Sequence, residues 1–363
     1  MIITVVGNRP QFIKMAPIST EFRARGIDEY IIHTGQHYDE NMSGVFFEEL
    51  GIPEPNLNLE IQARSHGGMT AEMLERLEKV FIELKPKSLL IYGDTNSTLA
   101  AALAAVKLHI PIAHVEAGPR IYDIDTPEEI NRIVADHAAR LRFAPDQISI
   151  ENLAKENITT GVIHVGDLMY QAFMHYRQRI GNRDALFQNM GLDPSAPFAL
   201  MTIHRPNNTD DISALEKCIE MLKQSPMPVV FAVHPRTEAV FKKAELWDQL
   251  CALENVHVTP PLGYLDLLGV LEKSAIIMTD SGGLQKEAYF AGKPCLVMFH
   301  ATPWPQILEA GWQKLSYGFD RMDVSEFVAD ITGYRPTGSR PEFFGDGKSA
   351  QYVVDHLVAQ DFV

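Results

Sequence analysis

The stretch Thr279-Asp280-Ser281-Gly282-Gly283-Leu284-Gln285-Lys286-Glu287 decides the fold. The apolar run 275–278 before it is typical of a buried parallel strand, and residues 288–291 after it continue a helix. Glycines between a strand and a helix let backbone N–H groups approach an anion, and the helix dipole favours negative charge at the same point. An ordinary strand-to-helix turn would have the same local sequence, so this stretch alone leaves both interpretations open.

The composition indicates a globular chain with a sizeable core. The chain has 363 residues, of which 46% are hydrophobic and 22% charged, and is long enough for two domains. Its net charge of −15 argues against nucleic acid and against an anionic membrane as partners. No apolar run reaches membrane-spanning length, so we expect no membrane segment. The three cysteines match neither a disulfide framework nor a metal site, which predicts a cytoplasmic protein.

Strands and helices alternate along the chain, and this pattern starts twice. The first series begins with the apolar run 2–6, and the second begins with 197–203. Such alternation predicts an α/β fold of two doubly wound halves, with a boundary near residues 166–182. In open α/β sheets ligands bind at the carboxyl ends of the strands, and a cleft between two such domains is a natural site.

Polar side chains follow the predicted strands in both halves. Any one of them has an ordinary structural interpretation, such as a helix cap, dipole compensation or a surface ion pair. Together, carboxylates at successive strand ends and a turn suited to phosphates are what acid–base chemistry on a nucleotide-activated compound needs. The first half supplies Arg9, Lys14, Asp94, Glu116, Glu128 and Arg132, and the second supplies His204, Arg205, His234, Ser281, Gly282, Gly283 and Glu287.

Several common cofactor motifs are absent from the sequence. No glycine-rich loop ends in Gly-Lys-Ser or Gly-Lys-Thr, and Gly7-Asn8-Arg9-Pro10 is not the dinucleotide-binding fingerprint. No cluster of His, Cys and Asp has metal-ligand spacing. We therefore expect no nicotinamide cofactor and no metal.

Eight short motifs, in this order, resemble the non-hydrolysing UDP-N-acetylglucosamine 2-epimerase family along essentially the whole chain. They are Gly-x-Arg-Pro-Gln-Phe-Ile-Lys at 7–14, Thr-Gly-Gln-His at 34–37, Gly-Asp-Thr at 93–95, His-Val-Glu-Ala-Gly at 114–118, Pro-Glu-Glu-Ile-Asn-Arg at 127–132, His-Arg at 204–205, His-Pro at 234–235 and Asp-Ser-Gly-Gly at 280–283. The resemblance implies the GT-B fold, in which two Rossmann-like domains have the active site in the cleft between them. It implies an N-terminal domain at 1–168, onto which a C-terminal helix at 348–363 packs back, and a UDP-binding domain at 169–347.

The resemblance also implies the reaction. UDP leaves C1 of a UDP-N-acetyl sugar as the C2 proton is removed, and a 2-acetamidoglucal and UDP stay bound. UDP then adds back while C2 is protonated on the other face. The implied catalytic residues are Asp94, Glu116, Glu128, Arg132 and His204. The implied substrate-binding residues are Arg9, Lys14, Arg205, His234, Ser281, Gly282, Gly283 and, for the ribose, Glu287.

Further expectations come from the same family. Its members need no cofactor, are commonly homodimers and supply units for surface polysaccharides such as lipopolysaccharide. Gln36 and His37 match residues that hold a second, allosteric UDP-GlcNAc in some members. The resemblance thus predicts a cytoplasmic homodimer whose partner is a UDP-sugar.

Some positions depart from the commonest family pattern and leave the substrate open. Pro119 replaces a leucine, and Trp304 replaces an arginine. Trp304 and several other choices resemble the branch that acts on UDP-2,3-diacetamido-2,3-dideoxyglucuronate, whereas residues 299–303 lack that branch's arginine and acids. The C3 and C6 substituents of the sugar therefore stay open. The alternative functions are a hydrolysing UDP-GlcNAc 2-epimerase, a GT-B glycosyltransferase and a non-catalytic nucleotide-sugar sensor.

Overall fold

The chain divides into two compact units in the computed structural model, which describes residues 1–35, 50–61 and 65–363. Unit 1 comprises Met1–His175 and Glu342–Val363, and unit 2 comprises Tyr176–Pro341. The boundary implied by the family resemblance, 168/169, falls at the first turn of a helix, Leu168–Arg177. The structural division lies later, near the end of that helix.

Unit 1 is built on a seven-stranded sheet in which every pairing is parallel. The strand order β3-β2-β1-β4-β5-β6-β7 extends the Rossmann order. The strands are β1 (Ile2–Val6), β2 (Glu29–His33), β3 (Leu57–Asn58), β4 (Ser88–Tyr92), β5 (Ile112–Val115), β6 (Leu141–Ala144) and β7 (Val162–His164). The helices are α1 (Arg9–Arg25), α2 (His66–Leu84), α3 (Asn96–Lys107), α4 (Pro127–Ala138), α5 (Gln147–Lys155) and α6 (Leu168–Arg177).

The alanine-rich helix α3 packs against both helices and strands of unit 1. Buried alanines such as Ala101 and Ala105 let its backbone approach its neighbours closely. It packs against α2 and α4 and contacts β1, β4 and β5. The small side chains of α3 therefore allow close packing on the sheet.

Unit 2 is built on a six-stranded parallel sheet with the order β10-β9-β8-β11-β12-β13, which is the Rossmann order again. The strands are β8 (Ala199–Thr202), β9 (Val229–Ala232), β10 (Val256–Thr259), β11 (Ile276–Thr279), β12 (Cys295–Val297) and β13 (Gln313–Leu315). The helices are α7 (Asp184–Asn189), α8 (Pro206–Thr209), α9 (Ile212–Gln224), α10 (Pro235–Lys243), α11 (Trp247–Cys251), α12 (Tyr264–Lys273), α13 (Gly282–Ala291), α14 (Pro305–Glu309) and α15 (Val324–Gly333).

The last helix, α16 (Ser349–Ala359), belongs to unit 1 and packs on α1. Arg25 at the end of α1 lies 2.5 Å from the Asp355 carboxylate, and the Ser88 hydroxyl donates to the Phe362 carbonyl at 2.6 Å. Residues beyond unit 2 in the chain therefore complete the packing of unit 1. Within the described ranges, no helix combines the length and the apolar character needed to cross a membrane.

The two parallel sheets confirm the predicted α/β class, but some elements were not predicted. The strands β3, β6 and β13 are short or carry polar residues. In β6 the Arg142 guanidinium donates to the backbone carbonyls of Asp136 and Thr160, so a charged side chain is accommodated in a buried strand. Near the expected boundary the structure has two helices, α6 and α7, and Gly181 between them has a left-handed φ of 62°.

Candidate functional site

The turn after β11 differs from the expectation in one respect. Gly282 and Gly283 do not turn the chain, because both are already residues of α13, and neither has a positive φ. Ser281 is the N-cap, with extended backbone, and its hydroxyl accepts from the Leu284 N–H at 3.5 Å. A Cβ on Gly282 would lie 3.6 Å from Pro303, an ordinary contact, so packing does not require glycine there. An anion that approaches the first N–H groups of α13 would require glycine at this position.

Asp280, just before this cap, ties the ends of β8 and β11 together. Its buried carboxylate accepts from the backbone N–H groups of His204 at 2.9 Å and Arg205 at 2.8 Å, and from the Asn208 amide at 2.9 Å. Burial would raise the pKa of Asp280, but the charge of His204 and these hydrogen bonds outweigh it and lower that pKa to about 2. The residue is therefore ionised and holds the loop that follows β8.

The side chain of His204 is oriented by the same carboxylate. Its Nδ1 lies 2.9 Å from Asp280 Oδ1, and the side chain is 40% exposed, so Nε2 is available to a ligand. The His234 ring lies 5.5 Å from the His204 ring, centroid to centroid, and its Nδ1 caps α10 by accepting from the Arg236 N–H. The Arg205 guanidinium donates to the Asp280 carbonyl and stacks on Phe299. Unit 2 thus gathers imidazole, guanidinium and helix N–H groups, all suited to an anion.

Replacing Asp280 by Asn should reveal the stability that its ionised form provides. Its folded-state pKa of about 2 lies below the ordinary 3.8, so the contribution is complete above pH about 4 and disappears as the pH falls toward about 2. The shift corresponds to about 2 kcal/mol. We expect Asp280→Asn to lower the free energy of unfolding of unit 2 by about this amount at neutral pH, and the difference from wild type to shrink on acidification.

Urea unfolding followed by tryptophan fluorescence measures this, because Trp247, Trp304 and Trp312 are the only tryptophans of the chain and all lie in unit 2. The exposed Asp248, changed to Asn, is the control. If the free energies of unfolding of wild type and Asp280→Asn differed by the same amount at every pH, the stabilising role of the ionised Asp280 would be contradicted.

In unit 1, Lys14 and Glu116 form a largely buried ion pair. Lys14 Nζ lies 2.5 Å from Glu116 Oε1, and their side chains are 6% and 12% exposed. A Cβ on Gly93 would lie 3.2 Å from that Nζ, so glycine at the end of β4 makes room for the pair. Glu116 has a φ of 64°, in the left-handed region that a non-glycine residue rarely adopts. Backbone strain of this kind is concentrated at functional sites.

Asp94 and Arg132 form a second ion pair beside the first. Arg132 contacts Asp94 at 2.5 Å and Glu129 at 2.8 Å. The Asn131 amide donates to the Asp94 carbonyl, and Glu129 accepts from the backbone N–H of Ile121. Burial would lower the pKa of Arg132, but the two carboxylates outweigh it and raise that pKa. The pairing of Arg132 with Glu128, one alternative for their four-residue spacing, is therefore replaced by pairing with Asp94 and Glu129.

The remaining candidates lie at helix starts or in the first turns. Arg9 is the first residue of α1, where the dipole opposes a cation, and an anionic ligand would relieve this opposition. Glu128 is half-buried in the first turn of α4. Glu287 is 3% exposed and lies in the second turn of α13. Gln36 and His37 lie outside the described residues.

Sequence reasoning missed four residues that orient the candidates, namely His114, Glu129, Asp136 and Asp280. A signal was available on α4, where positions 129, 132 and 136 have the spacing of one helix face. Asp280 was part of the motif at 280–283, but its orienting role could not be predicted, because its partners follow a different strand, β8.

The comparisons with known proteins bear on this arrangement. A family model described as UDP-N-acetylglucosamine 2-epimerase matches residues 20–358. The chain belongs to the UDP-N-acetylglucosamine 2-epimerase family. The predicted enzyme class, an isomerase of the non-hydrolysing type, is confirmed by this membership.

Two relatives of the family are similar over nearly their whole length. A UDP-N-acetylglucosamine 2-epimerase homolog of Methanococcus maripaludis is 41% identical, with 98% of this chain and 99% of that protein covered. The UDP-2,3-diacetamido-2,3-dideoxy-D-glucuronate 2-epimerase of Pseudomonas aeruginosa is 40% identical with the same coverage.

A solved family structure agrees with the fold. The UDP-GlcNAc 2-epimerase of Methanocaldococcus jannaschii, crystallised with UDP-GlcNAc and UDP, is 35% identical and matches with a TM-score of 0.91. It covers 99% of this chain and 100% of the solved chain. The predicted GT-B class is confirmed by this similarity.

Proposed function

We propose that the chain reversibly epimerises C2 of a UDP-N-acetyl sugar, UDP-GlcNAc or its 2,3-diacetamido-uronate analogue, by elimination and re-addition of UDP. The observation that carries the proposal is the pair of carboxylates at the ends of two adjacent strands. Asp94 follows β4 and Glu116 follows β5, and each lies 2.5 Å from a buried cation. Acids held in this way keep a fixed geometry for proton transfer.

The elimination breaks two bonds of the sugar and forms two, the C1=C2 π bond and an O–H bond on the base. The C2–H bond breaks and its proton moves to a carboxylate, while the C1–O bond breaks and its electron pair leaves with the diphosphate. A C1=C2 double bond results, and re-addition reverses these changes with protonation from the other face. Two proton-transfer groups are therefore required, and we propose them among Asp94, Glu116 and Glu128.

Departure of the diphosphate must be stabilised, because the C2 proton is only weakly acidic. We propose that the first N–H groups of α13, His204 and Arg205 hold the diphosphate in unit 2. Hydrogen bonds from fixed donors stabilise a developing anion without reorganisation. His234 and Glu287 would contact the rest of the nucleotide, with Glu287 on the ribose. The cations Arg9 and Lys14 of unit 1 would contribute further positive charge.

Two sugars are proposed as substrates, UDP-GlcNAc and the 2,3-diacetamido-uronate, since relatives of nearly equal identity are named after each of them. Trp304, where the commonest pattern has arginine, donates its indole N–H to the Gly282 carbonyl at 2.9 Å. The ammonium of buried Lys286 lies 4.2 Å from the Trp304 ring centroid. Trp304, which departs from the commonest pattern, therefore lies against the first turn of α13. For this reason the uronate analogue is proposed beside UDP-GlcNAc.

Incubation in D₂O tests the proposal directly. The protein is given UDP-GlcNAc or the diacetamido-uronate, and the sugar is followed by NMR. We expect deuterium at C2 and an equilibrium of two UDP-sugars. Free sugar with stoichiometric UDP would indicate the hydrolysing class, and binding of both substrates without exchange would exclude epimerisation of these sugars.

Four further features implied by the family stay predictions. They are a cytoplasmic location, a homodimer, supply of surface polysaccharide, and an allosteric site at Gln36 and His37. Sedimentation in an analytical ultracentrifuge tests whether the protein is a homodimer. A rate that rises more than linearly with UDP-GlcNAc, and loses this behaviour on changing His37, would support the fourth.

A further inference from the structure

A buried histidine lies between the strand ends that carry Asp94 and Glu116. His114 is on β5 and is fully buried. Its Nε2 lies 2.8 Å from the Gly93 carbonyl, and its Nδ1 lies 2.7 Å from Asp136 Oδ1. A carbonyl oxygen only accepts hydrogen bonds, so Nε2 carries a proton.

The second ring nitrogen faces an ionised carboxylate. Asp136 Oδ2 accepts from the Gly118 N–H at 3.1 Å and lies 2.8 Å from the Arg120 guanidinium. Both contacts, with a guanidinium cation and with an N–H donor, favour the ionised form of the carboxyl group independently of His114. Since Asp136 has no proton to give, Nδ1 must donate, and both ring nitrogens carry a proton.

We propose that His114 is a buried imidazolium that clamps the two strand-end loops, and so is a positioning residue for proton transfer at C2. The Nε2 of His114 binds Gly93, next to Asp94. Its Nδ1 binds Asp136, which in turn binds Gly118, two residues after Glu116. Both Gly93 and Glu116 have left-handed φ values, of 60° and 64°. For Glu116, which is not glycine, surrounding contacts must hold this conformation. The positioning role rests on the proposed function, whereas the protonation state does not.

The charged groups around this clamp come from several elements. Arg120 also binds Glu156, which follows α5, with two hydrogen bonds, and Arg142 of β6 donates to the Asp136 backbone carbonyl. Arg120 thus pairs with both carboxylates, and the side chain of Asp136 is shared between Arg120 and His114.

NMR of the intact protein with ¹⁵N-labelled histidine tests the protonation state. We expect the His114 ring, identified by its loss in His114→Asn, to carry slowly exchanging protons on both nitrogens at neutral pH. An unprotonated ring nitrogen would overturn the imidazolium. This measurement needs no substrate, so it stands even if the proposed epimerisation fails.

The variant Asp136→Asn tests the positioning role. Its amide can donate to Nδ1 while its oxygen accepts from Gly118, so the shape is kept and His114 becomes neutral. We expect kcat for deuterium exchange at C2 to fall by about 10²-fold with an unchanged KM. Asp355→Asn, at the exposed pair with Arg25, is the control.

Each remaining outcome is informative. Wild-type kcat in Asp136→Asn, with His114 neutral by NMR, would overturn the positioning role. A rise in KM with unchanged kcat would do the same. If wild type shows no exchange at all, the proposed function fails instead, and the protonation state is still measured on the wild-type protein.

Discussion

Replacing Glu116 by Gln is expected to slow deuterium exchange at C2 by about 10²–10⁴-fold while UDP still binds. Gln keeps the length of the side chain and its oxygen can still accept from Lys14, so the loss is that of a proton acceptor. The backbone strain at residue 116 is the same in both forms, because neither is glycine. Exchange measured by NMR and UDP affinity measured by calorimetry separate the two effects.

The control for this variant is Glu75→Gln. Glu75 also pairs with a lysine, Lys79 at 2.6 Å, but on the exposed face of α2, where such pairs contribute little to stability. It should behave as wild type in both measurements. Normal exchange by Glu116→Gln would remove Glu116 from the chemistry and leave Asp94 and Glu128 as the candidates. Loss of UDP binding together with exchange would point to a damaged fold, which circular dichroism would reveal.

Replacing His204 by Gln is expected to lower turnover by about 10²–10³-fold, the usual cost of removing one group that stabilises a developing anion. Asp280 holds Nδ1 of His204, which leaves Nε2 for the departing diphosphate. UDP should also bind more weakly, since the same contact would exist in the ground state. The effect should therefore appear in kcat and in UDP affinity, unlike that of Glu116→Gln.

His257→Gln is the matched control in the same unit. The His257 ring contacts the Met190 carbonyl at 2.6 Å and has no place in the proposed site. It should leave kcat unchanged. If His204→Gln keeps wild-type kcat and UDP affinity, the leaving group is stabilised elsewhere, with the N–H groups of α13 and Arg205 as the remaining proposed donors in unit 2.

The parallel sheets were predictable because their strands are apolar runs that alternate with helices. Strand β6 was not predicted, since Arg142 interrupts its apolar pattern and its guanidinium binds carbonyls of other segments. The starting point of α13 was also misjudged. A pair of glycines after a strand suits either a turn or a first helical turn, and the Ser281 cap decides between them.

The pairings within the candidate site depend on tertiary contacts and could not be predicted. Arg132 has acids three and four residues before it, and helix geometry permits either pair. The choice of Glu129 follows from Asp94, which β4 brings to the same guanidinium. Likewise, nothing local marks Glu116 for a left-handed φ, because the nearby Gly118 would suit that conformation better.

The contacts of α16 have a consequence for the order of events during synthesis. The segment 342–363 leaves the ribosome after the whole of unit 2 has been translated, yet it packs on α1 and bonds to Ser88 at the start of β4. Domains generally fold as units during translation. Unit 2 is continuous in sequence and can therefore finish folding first, while unit 1, although begun earlier, waits for its last helix with the surface of α1 uncovered. A released chain that ends at residue 341 should accordingly bind chaperones through unit 1 and be cleaved by protease there, with unit 2 already protected.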